Sequence, residues 1–222
     1  MATTWGAGTS KYGTLTGWAL NSTDNPSESQ RETAHSDTNN VIASELYDKR
    51  ITINETFRAV ARPGGPTVPP KIGLHNDLPL TGINISTTRS DFATMTLTGH
   101  EHEDGADGAG GALRDVEHGI TMSQSFGVNL FGFTGLASAT ESSCNIECEH
   151  AEVPNADGDT AAGENHNATI TLSVTSHEGF ATAPTGYDIV AQRPGTDAQG
   201  FKTYITEAVK NVAFGALPAG GS

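Results

Sequence analysis

Apolar and polar residues along this chain alternate with a period of two over short runs, the pattern of strands that are wet on one face. Over residues 50–62 the alternation turns on Ile51, Ile53 and Phe57. Over 93–99, Met95 and Leu97 face one way and threonines the other, and over 167–176 Ile170, Leu172 and Val174 repeat the arrangement. Further strands are predicted at 15–20, 41–47, 83–87, 120–126, 142–150 and 187–191. Residues 22–40 are polar throughout, yet Glu28, Gln30 and Glu32 alternate with Ser29, Arg31 and Thr33, which reads as an extended polar edge strand. Threonine and β-branched residues suit a pleated, half-buried surface, and 26 glycines and 10 prolines supply frequent turns. The fold class that follows is all-β, a mainly antiparallel sandwich or barrel.

Three features interrupt the strand pattern. Residues 206–214 compete for a short helix, because Val209, Val212 and Ala213 follow the 3-4 spacing and Thr206 can cap its start. A second short helix competes at 113–117. Residues 100–111 and 153–165 are acidic and rich in glycine, so they cannot offset their own ordering entropy and are expected to be long loops that order only against a partner. The organisation expected is one β domain over 1–222, with an N-terminal arm at 1–14, the sandwich or barrel at 15–191 and a C-terminal segment at 192–222.

Composition and charge narrow the function. A chain of 222 residues can bury a core without metal or disulfide staples. Twelve Lys and Arg against 26 Asp and Glu give a net charge of −14, so the net field does not draw the chain to phosphate backbones or anionic membranes. No run approaches the roughly 20 apolar residues of a membrane span, and the opening residues lack a secretory pattern. The expectation is synthesis in the cytosol and no membrane partner.

Candidate chemistry is sparse. Cys144 and Cys148 share one face of a strand, but four residues at about 3.3 Å each separate them by roughly 13 Å, beyond disulfide reach, so both read as core thiols. His100 and His102 share a face and could meet one ion, with His118 near in sequence, but no third ligand is defined and a solvated strand end is the plainer reading. Residues 155–159 carry oxygen ligands of a calcium loop without the spacing that completes one, and read as a hairpin loop. Nothing matches a nucleophile elbow, a phosphate-binding loop or a dinucleotide fingerprint. No catalytic, cofactor-binding or metal residue is assigned, no cofactor is expected, and the chain is not read as an enzyme.

The run Leu15, Thr16, Gly17, Trp18, Ala19, Leu20, then the polar strand to His35, the acidic turn at 37–40 and the stretch 41–57 through Tyr47 resembles the opening of phage tail tube proteins. Residues 80–86 and 92–100 are similar to the paired strands that continue such a subunit, and the resemblance covers residues 12–176. Asn39 and Asn40 stand where that family usually has an Asn-Gly turn. The resemblance implies a virion structural protein, a β subunit with a small helix. Such subunits form rings, typically hexameric, stacked into a tube through which DNA passes. Partners would be other copies and other tail proteins, and a carboxylate-lined lumen would repel the phosphate backbone. The alternative is another virion or surface β protein, a capsid decoration or adhesin that binds a receptor or glycan, whose sign would be aromatic residues clustered on loops.

Overall fold

The computed structural model describes residues 9–35, 41–60, 66–75, 78–102, 115–122, 127–154 and 160–212. Eleven strands follow one another: β1 (Trp18–Asp24), β2 (Ser27–His35), β3 (Val41–Ala59), β4 (Lys71–His75), β5 (Leu78–Thr88), β6 (Thr94–His102), β7 (Val116–Glu117), β8 (Glu141–Pro154), β9 (Thr160–Ser176), β10 (Asp188–Thr196) and β11 (Lys202–Asn211). All pairings are antiparallel. The main path runs β1-β3-β6-β5-β8-β9-β11-β10; β2 joins the far half of the long β3, and β4 joins β5 and β7. The path is open, with β1 and β10 at its two ends.

Cross-strand register turns the period-two pattern into two faces. One row runs Leu20, Phe57, Met95, Ile85, Cys144, Leu172, Ala208. The next runs Glu55, Leu97, Ile83, Ile146, Ile170. Every apolar member of these rows is buried. At about 25 cal/mol per Å² of apolar surface, this shared face is the main source of stability. The three alternating segments read from the sequence therefore meet in one core.

The opposite face is made of small polar side chains. Thr56, Thr96, Asn84, Asn145 and Thr171 lie in register, followed by Val209. The row is tied across strands by a Thr56 Oγ1 to Thr96 Oγ1 bond of 3.4 Å and by Asn84 Nδ2 donating to Asn145 Oδ1 at 3.3 Å. A one-residue slip would exchange the faces, so the register is strongly specified.

Several expectations need correction. Residues 206–211 belong to β11 and do not form the helix expected over 206–214; Ala213 and Phe214 lie outside the described residues. Thr206 and Ala208 are fully buried on the core face, and β11 bonds to β9 on one side and β10 on the other, so pairing on both edges overrides a weak 3-4 spacing. The sheet thus continues past residue 191 to Asn211. Val116 and Glu117 are strand, not part of a helix at 113–117, whose first two residues lie outside the described residues. Residues 120–122 have no strand; 123–126 lie outside the described residues. The expected loop at 153–165 is mostly hairpin, with Val153 opposite Ala162 and Pro154 opposite Thr160, and only 155–159 fall outside the described residues. Of 100–111, the first three residues are the end of β6 and the rest lie outside the described residues.

The N-terminal arm is docked from Ser10 to Tyr12. Glu55 interrupts the apolar face between Ile53 and Phe57 and is only 1% exposed. Its carboxylate accepts from Ser10 Oγ at 2.5 Å and from the Lys11 amide at 2.9 Å, so the buried acid is satisfied by the arm. Tyr12 follows into the core over Gly99, where a Cβ would lie 2.1 Å from the Tyr12 hydroxyl and 2.0 Å from the Pro79 carbonyl oxygen. Glycine is required there by close approach.

Candidate functional site

The residues singled out in the sequence do not converge. Cys144 is buried and Cys148 half-buried on the core side of β8, both free thiols, and burial pushes each pKa up to about 12. Cys148 Sγ donates to the Thr81 carbonyl at 3.6 Å. Thiols held so far from the thiolate form are poor nucleophiles and poor metal ligands. His100 is buried at the end of β6, opposite Thr52, and the side chain of His102 lies outside the described residues. His118 sits apart: its Nε2 donates to the Pro69 carbonyl at 2.6 Å and its Nδ1 accepts from the Ile120 amide at 3.0 Å. Burial lowers its pKa, an effect helped by nearby His75 and opposed by the Pro69 bond. Among the described residues no group of three or more His, Cys, Asp or Glu is placed to hold a metal ion. Residues 155–159 lie outside the described residues.

A different region is built with more care. Residues 127–139 connect to β8 without strand structure, and their backbone is fixed by side chains. Gly127, Gly132 and Gly135 have φ of 99°, 87° and 82°, and Phe131 takes a φ of 46°, a left-handed conformation unusual for an aromatic residue. The strain persists because the surroundings hold it. Asn129 Oδ1 accepts from the Phe131 amide at 2.9 Å, the Asn129 amide donates to Thr87 Oγ1 at 3.1 Å, and the Ser142 hydroxyl donates to the Asn129 carbonyl. Thr87 and Ser142 are buried and bonded to each other at 2.7 Å, so the loop base is a satisfied polar cluster inside the core.

The other side of the loop is pinned by Glu178, beyond the end of β9. Its carboxylate accepts from the Ser138 hydroxyl and the Ala137 amide, each at 2.8 Å. The Ser138 bond first, then the amide, holds its pKa below the usual carboxylate range. Thr134 and Thr182 exchange two backbone hydrogen bonds, at 3.0 and 2.8 Å. The result is a pocket of about 580 Å³ lined by residues 127–134 and 137–139 with Arg89. Arg89 lies exposed on the β5–β6 turn, and its charge acts on Glu178, helping the hydrogen bonds to hold that carboxyl low. Elsewhere Arg58 pairs with Asp91, Lys71 with Asp115 at 2.5 Å and Arg193 with Glu207 at 2.6 Å.

Two further surfaces stand out. The Thr/Ser/Asn face of the sheet is broad and half-buried, with Thr94, Ser86, Ser143 and Ser173 forming another row beside that of Thr56. At the other end of the path, edge strand β10 is exposed almost throughout. Ile189, opposite Ala208, carries the apolar row off the covered core, and Val190 is 58% exposed at the bulge beside it. Phe201 is 65% exposed and meets His177 edge-on, while Phe180 meets Tyr204 with ring centroids 5.2 Å apart.

Sequence reasoning missed Glu55, Arg89 and the 127–139 loop. The signal for Glu55 was available, since an acid on the face of Ile53 and Phe57 breaks the alternation. For Arg89 there was none, because its meaning depends on which carboxylates lie near in space. No family model matches the chain, and no curated protein matches it.

Proposed function

We propose that the chain is a virion structural protein that assembles into stacked rings forming a phage tail tube, with an acidic lumen for DNA passage. The observation that supports this reading is the open antiparallel sheet: one face is an apolar ladder interrupted at Glu55, the other a field of Thr, Ser and Asn, and among the described residues no further strand pairs beyond β1 or β10 at the two ends of the path. A head-to-tail contact between unlike ends closes into a ring when its rotation permits. The net charge of −14 per copy suits a channel through which a polyanion slides without binding. The reading excludes an enzyme role and needs no cofactor.

Negative-stain electron microscopy of concentrated protein tests it. Rings or tubes are expected; dispersed single particles at every concentration contradict it. A second reading, a decoration or adhesin domain, is favoured by the aromatic group of Phe180, Tyr204 and Phe201 with His177 at one end of the sheet, because exposed rings of this kind stack on sugars. Glycan binding by dispersed monomers, lost in Phe201→Ala, would select it.

A further inference from the structure

β7 is the shortest strand and, among the described residues, it pairs only with β4, Lys71 opposite Glu117 and Ile72 opposite Val116. β4 is anchored on its other side by β5. An element with so few ladder bonds opens at a lower free energy than the core strands beside it. Three ties close it. Ile72 and Val116 are buried against the core. Lys71 Nζ meets the Asp115 carboxylate at 2.5 Å, a partly exposed ion pair that contributes little. The third tie is His118, whose Nε2 donates to the carbonyl of Pro69, 49 residues away in sequence, at 2.6 Å. The same ring folds the chain back, since Nδ1 accepts from the Ile120 amide at 3.0 Å, with Gly119 between them at a φ of 70°.

This geometry admits one tautomer. An amide only donates, so Nδ1 carries the lone pair and Nε2 the proton. A second proton would set Nδ1–H against the Ile120 N–H on a side chain only 6% exposed, whereas water solvates the imidazolium once the segment opens. Residues 66–70 carry no titratable side chain; those on the elements that hold the ring are His75 and Lys71 of β4, and Asp115 and Glu117 of its own segment. Asp115 is taken by Lys71, and Glu117 lies opposite that lysine. His75, bonded through Nε2 to the Lys71 carbonyl at 2.9 Å, opposes a positive charge on His118, as burial does. We propose that His118 is an acid-opened clasp: mild acidification releases residues 115–120 from β4 while β3, β5, β6, β8 and β9 stay paired, which bares Ile72 and the outer edge of β4. The clasp does not depend on the assembly reading. The closed segment takes up the proton less readily than the open one, so the clasp is fully held above about pH 6.5 and loosens as pH falls below it.

Hydrogen exchange of the full chain, read by mass spectrometry at pH about 7.5 and 5.5 and normalised to the intrinsic rate at each pH, tests it. Protection over 115–120 should fall about tenfold at the lower pH, because a ring of ordinary pKa is then about nine-tenths protonated in the open segment. Segments 95–98 and 143–147 should keep their protection. His118→Gln, whose amide still donates to the Pro69 carbonyl but cannot titrate, should show equal protection over 115–120 at both pH values, and His75→Gln should keep most of the response. Titration of the wild-type His118 ring by NMR needs no variant, and a midpoint below about 6.5 is expected. Protection over 115–120 that does not change with pH overturns the proposal, as does the same fall in His118→Gln or a ring midpoint at the ordinary value. Loss of protection by the whole sheet in the same step also overturns it, since the clasp is then not a local device.

Discussion

His118 is the clearest case of one side chain whose protonation state the fold selects. Nε2 donates and Nδ1 accepts, so the ring is held neutral between the Pro69 carbonyl and the Ile120 amide. Protonation would place a second N–H against the Ile120 amide in a buried site. Because the folded pKa lies below the ordinary value of about 6.5, the unfolded chain takes up the proton first, and stability is lost as pH falls from that value towards the folded pKa. Above about pH 6.5 the contribution is fully present. Melting temperatures at pH about 7.5 and 5.5 should fall more for wild type than for His118→Gln, which cannot titrate; an equal fall in both would show that His118 is not the group responsible. Glu55 teaches a different lesson at the same scale. Its position on an apolar face could be read from the alternation, but its partners could not, since Ser10 and Lys11 lie about 45 residues away in sequence.

At the scale of elements, the account turns on which face of each strand is covered. Leu172 is fully buried between Cys144 and Ala208, whereas its neighbour Thr171 sits on the polar face beside Asn145. Leu172→Ala should lower the unfolding free energy by about 2 to 5 kcal/mol through the transfer and cavity terms, while Thr171→Ala should cost less than about 1 kcal/mol. Denaturant unfolding of both variants checks the assignment, and comparable losses would mean that the faces are misassigned. The strands around Ile53, Met95 and Ile170 were legible because their period of two is local. The C-terminal strand was not: Val209 and Val212 satisfy helical spacing, and only the ladders with β9 and β10, contacts distant in sequence, decide for strand. The hairpin of β8 and β9 was read as shorter than it is for the same reason, because polar residues such as Asn165 and Glu164 look like loop until a partner strand lies opposite them. The pocket loop was illegible because its conformation depends on Thr87, Ser142 and Glu178, which come from three separate parts of the chain.

The whole molecule is an open sheet with distinct ends, edges and faces. Its apolar row runs off at Ile189, and its polar face runs across β3, β6, β5, β8 and β9, from the Arg89 turn at one end of β6 to His102 at the other. A monomer does not require this polarity. The proposed stacked assembly would use it, because heterologous contacts need two unlike surfaces on one subunit. Exposed Ile189 and Val190 on an edge strand are otherwise a liability that natural sheets avoid, and Pro194 on the same strand limits uncontrolled pairing. Sedimentation velocity over a wide range of protein concentration tests the central claim of self-assembly most directly. The account predicts that the 23.1 kDa chain gives way, as concentration rises, to a discrete species whose mass is a whole multiple of the chain and then to larger stacks of that species. A single 23.1 kDa species that persists at every concentration would contradict it.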